Sequence, residues 1–386
     1  MYTEPFQRAT LWLERGLNNV FSQKYNPFYY HGALPNFFIW ALFITGLILF
    51  AYYQPTLATA YSSLHYITYE LPFGNLFRSL HRYASDGMMI FVILHMCRVW
   101  FTDRYREYRI LPWVTGVVLL AIVFAIGLTG YLLIWDQEAV TLANITFNLL
   151  KRIPFVGESI SNFVMAGQVI SDYTLTRFMF LHLGFPLLMM FMLWMHYLRI
   201  TRPVSEPPLP LVLMMAGGLF VTSAALPVTL EELPKGLNAA VPVLSGPGSV
   251  TSEVYFDLLY AWPQYLAAQG ISPILVLLLV LAVPLGLLVV PYLQKKAMRG
   301  QYAQVTRENC TGCSLCYNDC PYEAITMVDR GNDGTRFKRL AVVDAGRCAN
   351  CGLCVGACAF KAIEIPRRDT NTVLAEIEAT LAAATL

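Results

Sequence analysis

Six stretches of about twenty residues carry few charges and many large apolar side chains, at roughly 34–53, 79–101, 113–134, 177–200, 209–227 and 272–293. At 1.5 Å per residue each can cross a hydrocarbon layer about 30 Å thick. Lipid offers the backbone no hydrogen-bond partners, so such segments must fold as helices. The expected fold is therefore a mainly α membrane protein with six transmembrane helices, followed by a cysteine-rich segment of different composition. The chain is 56% hydrophobic and 13% charged, in keeping with that reading. Its net charge of +2 is too small to argue for a nucleic-acid partner.

Basic residues orient the helices. Arg104, Arg106 and Arg109 follow the second span, Arg199 and Arg202 the fourth, and Lys295, Lys296 and Arg299 the sixth. The other connections (54–76, 135–175 and 228–271) hold Lys151, Arg152 and Lys235. By the positive-inside rule both termini are expected in the cytoplasm, with the chain in a bacterial inner membrane. Residues 1–33 read as a cytoplasmic amphipathic surface helix, because Phe6, Leu11, Leu13 and Leu17 are spaced out and Glu4 and Glu14 interrupt any signal-peptide core. Residues 367–386 read as an amphipathic tail through Val373, Ile377 and Leu381. Apolar pieces at 140–150, 159–170 and 254–266 suggest short helices at the outer surface, lids that could close a pocket.

Two intervals of fourteen residues carry chemistry. His81 and His95 lie in the second span, His182 and His196 in the fourth. Fourteen residues turn a helix through about 1400°, nearly four turns, and rise about 21 Å, so both histidines of each helix face one way at two depths. Imidazoles are costly in hydrocarbon, and neutral histidine is a standard axial haem ligand. The second and fourth spans run parallel, so His81 is expected to pair with His182 near the outer side and His95 with His196 near the inner. Isolated histidines satisfied by neighbouring backbone would explain one pair; two pairs at one spacing argue against it. Gly32 and Gly46, and Gly116 and Gly130, repeat the interval of fourteen. Such glycines let a flat macrocycle approach the backbone, although glycines in membrane helices also serve helix packing. Arg78, Arg177 and Arg98 stand near the span ends, where they can pair with haem propionates or snorkel to the interface. His65 reads as a surface residue and Cys97 as a buried thiol.

Eight of the nine cysteines form two runs. Cys310, Cys313, Cys316 and Cys320 make C-x2-C-x2-C-x3-C before Pro321, and Cys348, Cys351, Cys354 and Cys358 repeat it before Ala359. This is metal spacing rather than a disulfide framework, and it belongs on the reducing side of the membrane. Thiolate quartets also suit zinc, but the duplicated run points to iron–sulfur clusters.

Several stretches resemble cytochrome b of the quinol-oxidising bc and bf complexes, particularly the short bf form. They are Phe77-Arg78-Ser79-Leu80-His81-Arg82, Val114-Thr115-Gly116-Val117-Val118, Gly130-Tyr131, Trp135-Asp136-Gln137 and Thr174-Leu175-Thr176-Arg177-Phe178, within a likeness spanning about 20–295. The resemblance implies a four-helix dihaem bundle in which His81, His95, His182 and His196 hold two b haems. The second histidine pair is one residue closer than in the bf type, and the cysteine that attaches an extra haem there falls at Tyr30, so no covalent haem is expected. The family's Pro-Glu-Trp-Tyr quinol signature corresponds to Ser252-Glu253-Val254-Tyr255. Glu253 is then the candidate proton acceptor and Tyr255 a hydrogen-bond donor; a helix-terminal glutamate favoured by the dipole is the plainer account. An inner pocket near the second haem would involve His31, Arg199 or Arg202. The cysteine runs resemble bacterial two-cluster ferredoxins, a small α+β fold. That resemblance implies one [4Fe-4S] cluster on Cys310, Cys313, Cys316 and Cys358 and the other on Cys348, Cys351, Cys354 and Cys320.

The domains expected are 1–33, the surface helix; 34–203, the dihaem cytochrome b part; 204–296, two further spans with the outer quinone loop; 297–366, the ferredoxin part; and 367–386, the tail. The expected function is passage of electrons between quinone, two b haems, two [4Fe-4S] clusters and a cytoplasmic redox protein or flavoprotein. The chain would be the cytochrome b subunit of a respiratory quinone oxidoreductase, dimeric through its cytochrome b part. The alternative is a haem-bearing anchor that relays electrons without quinone chemistry of its own. No G-x-G-x-x-G follows a strand, so dinucleotide chemistry is left to a partner.

Overall fold

The computed structural model describes residues 4–101, 105, 110–151, 153–198, 207–230, 269 and 273–293, and 302–365 apart from 321–323, 332–333, 346 and 349–352. It divides into two compact units: Met1–Thr102, Val114–Trp194 and Ser205–Val289 form the first, and Asp103–Trp113, Met195–Val204 and Val290–Leu386 the second.

The helices in chain order are α1 (Glu4–Tyr25), α2 (Leu34–Tyr52), α3 (Ala60–Tyr69), α4 (Gly74–Phe101), α5 (Ile110–Leu132), α6 (Gln137–Lys151), α7 (Gly157–Met165), α8 (Asp172–Leu198), α9 (Leu209–Ala225) and α10 (Pro273–Leu293). Among the described residues α2, α4, α5 and α8 are long and apolar enough to cross a membrane; α9 is a shorter apolar helix of 17 residues, and α10 has 21. Two helices begin before their apolar runs. α4 starts at Gly74 and α8 at Asp172, because polar residues at a span's end continue the helix into the interface. α6 and α7 occupy the first two apolar pieces expected outside the spans. The third, 254–266, lies outside the described residues, as does the C-terminal tail. Helix α3 was not expected; its Ala60, Leu64, Ile67 and Thr68 are buried at one-turn intervals within a run of ten residues, too short to stand out as a span.

A membrane helix can leave apolar groups on its outside. On α2, Trp40, Phe43, Leu47 and Phe50 point outward at helical spacing while Phe38 and Thr45 are buried. One core joins Phe38, Ala84, Met88, Leu119, Val123 and Met189 between α2, α4, α5 and α8. A second lies beneath α6 and α7, around Leu132, Trp135, Phe147, Met165, Leu175 and Phe178. Polar ties hold the connections over it: the Tyr53 hydroxyl donates to the Leu133 carbonyl at 2.6 Å, and the Leu57 N–H donates to the Asp172 carboxylate at 2.7 Å.

In the cysteine-rich segment β1 (Gln304–Val305) pairs antiparallel with β4 (Ile363–Glu364), and β2 (Ile325–Asp329) with β3 (Arg339–Val343). Two short helices, α11 (Leu315–Asn318) and α12 (Leu353–Ala357), lie in the two cysteine runs. Cys310, Cys316 and Cys354 belong to this segment's core with Ile325, Ala341 and Ile363.

Candidate functional site

His81 on α4 and His182 on α8 face one another with ring centroids 6.3 Å apart. An imidazole nitrogen lies about 2.0–2.1 Å from a metal it ligates, and adding about 1.1 Å from nitrogen to ring centre on each side gives about 6.3 Å across one metal. That separation would let His81 and His182 hold one iron between them.

Their hydrogen bonds decide which nitrogen is available. Thr45 donates its hydroxyl to the Ala41 carbonyl at 2.7 Å, so its oxygen accepts from Nδ1–H of His81 at 2.9 Å. His182 Nδ1 lies 3.0 Å from the Ile126 carbonyl, which can only accept, and 3.5 Å from the Thr129 hydroxyl, itself bonded back to Ala125. Each ring thus carries its proton on Nδ1 and keeps the Nε2 lone pair for a metal. His196 also has a hydrogen bond to a backbone group, the Pro112 carbonyl. The accepting residues Ile126 and Pro112 stand four before Gly130 and Gly116.

The glycines admit these rings. A Cβ on Gly130 would lie 2.6 Å from His182 Cε1, one on Gly46 3.2 Å from His81 Cε1, and one on Gly32 3.0 Å from His95 Cε1. The close approach they permit is filled first by the imidazole of the neighbouring helix. His95 has Nδ1 3.3 Å from Nδ1 of His31, which is buried. Thr45, Thr115 and Thr129 precede three of the four glycines and His31 precedes the fourth, a pattern that sequence reading passed over although the residues are adjacent.

Arg177 lies with Cζ 5.0 Å over the Phe163 ring, and its buried Nη1 has no hydrogen-bond partner among the described residues. A buried guanidinium nitrogen in that position fits an anionic group such as a propionate. Arg78 is buried and donates to Thr68 Oγ1 at 3.0 Å and to the Thr229 carbonyl at 3.1 Å. Arg98 sits 5.5 Å over Phe28. Glu253, Tyr255, Arg199, Arg202 and Cys351 lie outside the described residues. At the start of α6, Glu138 Oε2 accepts from the Tyr131 hydroxyl at 2.7 Å.

The strand register sorts the cysteines. Cys310 follows Val305 by five residues and Cys358 precedes Ile363 by five, and Val305 pairs with Ile363. Cys348 follows Val343 by five and Cys320 precedes Ile325 by five, and Ile325 pairs with Val343. Each fourth cysteine is thereby carried to the opposite run. Cys310, Cys313, Cys316 and Cys358 line one concavity together with Thr311, Gly312 and Ser314. The Cys316 thiol is pushed up to about 11, first by burial and then by the charges of Cys310, Cys358 and Cys313. Backbone N–H groups of Ala324 and Ala362 point at the sulfurs of Cys320 and Cys358 at 3.4 and 3.2 Å. Four cysteine sulfurs around one concavity, with the Ala362 amide aimed at one of them, suit a cuboidal cluster, which would take them as thiolates.

Residues 17–203 match the family model "Cytochrome b/b6/petB", and residues 309–362 match "4Fe-4S dicluster domain". Cytochrome b6 of Synechococcus sp. (strain JA-3-3Ab) is 37% identical over 185 residues, which cover 48% of this chain and 86% of that protein. The chain belongs to the cytochrome b/b6 family. Cytochrome b6 of Gracilaria tenuistipitata var. liui is 40% identical over 166 residues, 43% of this chain and 77% of that one. A solved chain of "Hyperthermophilic respiratory Complex III" shares the fold, with a TM-score of 0.56 at 24% identity, covering 69% of this chain and 75% of that chain. This member of the cytochrome b/b6 family is an integral membrane electron-transfer protein of b haem, and it carries a 4Fe-4S ferredoxin domain at its C-terminal end.

Proposed function

We propose that the chain passes electrons between quinone, two noncovalent b haems, two [4Fe-4S] clusters and a cytoplasmic redox protein, as one subunit of a larger membrane redox complex. The observation that carries the reading is the His81–His182 pair: 6.3 Å between ring centres, with both Nδ1 protons committed elsewhere. His81 and His182 hold the outer haem, and His95 and His196 the inner. Gly32, Gly46, Gly116 and Gly130 keep the backbone close to both, and Arg177, Arg78 and Arg98 serve the propionates. Cys310, Cys313, Cys316 and Cys358 hold one cluster; Cys348, Cys351, Cys354 and Cys320 hold the other. When bound, haems and clusters supply one-electron steps between a two-electron quinol and a soluble carrier.

At the outer face Glu253 accepts a quinol proton while Tyr255 positions the ring. The chain crosses six times, α9 and α10 adding to the four long spans, so the ferredoxin part (297–366) lies on the cytoplasmic side of the basic loops. The dihaem part (34–203) mediates dimerisation, 1–33 lies on the membrane surface, 204–296 adds the last spans and quinone loop, and 367–386 packs as a tail. A complex of the respiratory type is supported by the likeness in fold to a chain of a solved respiratory Complex III.

Replacing His182 by Ala tests the haem assignment. One of two haems should be lost from the purified chain, with the low-spin spectrum of the other retained. A wild type with a single haem, or with haem that resists acid acetone, sinks it. The second reading, an electron-relaying anchor without quinone catalysis, is favoured by Ser252 and Val254 where the family signature has Pro and Trp. Binding of a quinol analogue to the isolated chain separates the two.

A further inference from the structure

The ferredoxin part contains a charged side chain that neither cysteine run requires. Arg330, which follows β2, is 3% exposed. Its guanidinium donates through Nη1 to the Cys310 carbonyl and through Nη2 to the Arg307 carbonyl, while Arg307 Nη2 donates back to the Arg330 carbonyl at 2.8 Å. The Arg330 N–H is tied to the Lys338 carbonyl at 3.0 Å. Asp329, its acidic neighbour in sequence, turns its carboxylate to the Gly331 N–H at 2.8 Å, in a turn where Gly331 has φ +69°. Arginine cannot be deprotonated in a protein. A full positive charge is therefore fixed under the loop that presents Cys310. The sequence repeats an arginine at this interval: Arg330 follows Cys320, and Arg368 follows Cys358, by ten residues each. Of the two, Arg330 is the one among the described residues.

We propose that Arg330 is a potential-setting residue. It raises the reduction potential of the cluster held by Cys310, Cys313, Cys316 and Cys358, so that this cluster accepts an electron more readily than its thiolates alone would allow. The proposal rests on the crossover assignment given under Proposed function. Reduction adds one electron, supplied by a soluble one-electron donor, and one unit of negative charge; no bond breaks and no proton moves. A fixed cation nearby stabilises the reduced form more than the oxidised form. At an effective dielectric of about 20, a unit charge about 12 Å away changes such an equilibrium about tenfold. Arg330 touches the carbonyl of a cysteine whose own thiolate binds the cluster, and it is buried, so salt screens it weakly. A buried polar bond that merely shaped the loop would be served equally by a neutral donor.

The test uses the full chain, purified with its haems and clusters, by potentiometry followed by electron paramagnetic resonance. Iron and sulfide are counted first. Fewer than two [4Fe-4S] clusters in the wild type would overturn the quartet assignment, and this proposal with it, before any variant is made. In Arg330→Gln one cluster's reduced-to-oxidised ratio at fixed potential should fall about tenfold, about 59 mV for a one-electron couple. The other cluster and both haems should stay in place. Arg330→Lys should keep the wild-type potential. Two unmoved clusters in Arg330→Gln, or a shift in Arg330→Lys equal to that in Arg330→Gln, overturns the proposal. Should Arg330→Gln lose its clusters, Arg330→Lys decides: clusters at the wild-type potential support a role for charge, and their loss overturns it.

Discussion

The Nδ1 atom of His81 lies 2.9 Å from the hydroxyl oxygen of Thr45, whose own proton is given to the Ala41 carbonyl one turn earlier. Threonine in a helix commonly bonds back in this way, and here the habit turns its oxygen into an acceptor beside an imidazole. Thr45→Val removes that acceptor at nearly constant shape. The ring then loses its tautomer constraint and some basicity, so ferric haem is stabilised less. We expect outer-haem affinity to fall about tenfold, the low end for such partners, and the outer midpoint potential to rise. Redox titration reads both, Thr45→Ser should restore the wild type, and an unmoved outer potential in Thr45→Val counts against the role.

Gly130→Ala should cost more than Gly46→Ala. The added methyl would stand 2.6 Å from His182 in the first case and 3.2 Å from His81 in the second. Forced overpacking costs about 1–3 kcal/mol, and at Gly130 it falls on the proposed ligand ring. The expected outcome is loss or spectral distortion of one haem in Gly130→Ala and near-normal haem content in Gly46→Ala. Equal haem content in the two variants would show that ring clearance is not what these glycines provide.

Cys320→Ala should damage the cluster based on Cys348, Cys351 and Cys354 rather than the one nearest in sequence. The register Ile325↔Val343 motivates this, since it brings the end of the first run to the start of the second. Iron counting with paramagnetic resonance would distinguish the clusters, and haem spectra should be unchanged. Loss confined to the Cys310 cluster would refute the crossover.

Glu253→Gln should slow quinol-driven haem reduction about 100-fold, the low end of general-base effects, without changing haem content. Stopped-flow reduction by a quinol analogue measures it. An unchanged rate would favour the anchor reading, in which Glu253 is a helix-terminal residue.

The sequence was most legible where physics is periodic. Apolar runs located α2, α4, α5 and α8 because an unbroken apolar run of about twenty residues satisfies its own backbone in lipid as a helix. It was less legible at helix ends and in short helices: nothing in a hydropathy pattern marks Gly74 or Asp172 as a start, and α3 has only ten residues. The glycine intervals were visible, yet their contacts were not, because spacing along one helix does not say which neighbour approaches.

Local chemistry thus determined from sequence alone that the chain is a membrane helical protein with two histidine pairs and two thiolate quartets, since each pattern repeats within one element or one loop. Three matters needed the tertiary structure. The tertiary fold put His81 on α4 opposite His182 on α8. Contact between helices chose Thr45 and the Ile126 carbonyl as holders of the Nδ1 protons. Burial placed the charge of Arg330 under Cys310, twenty residues away along the chain. Hydrogen bonds and Coulomb forces act over distance in space, and the order of residues carries that distance only within a helical turn or a strand pair.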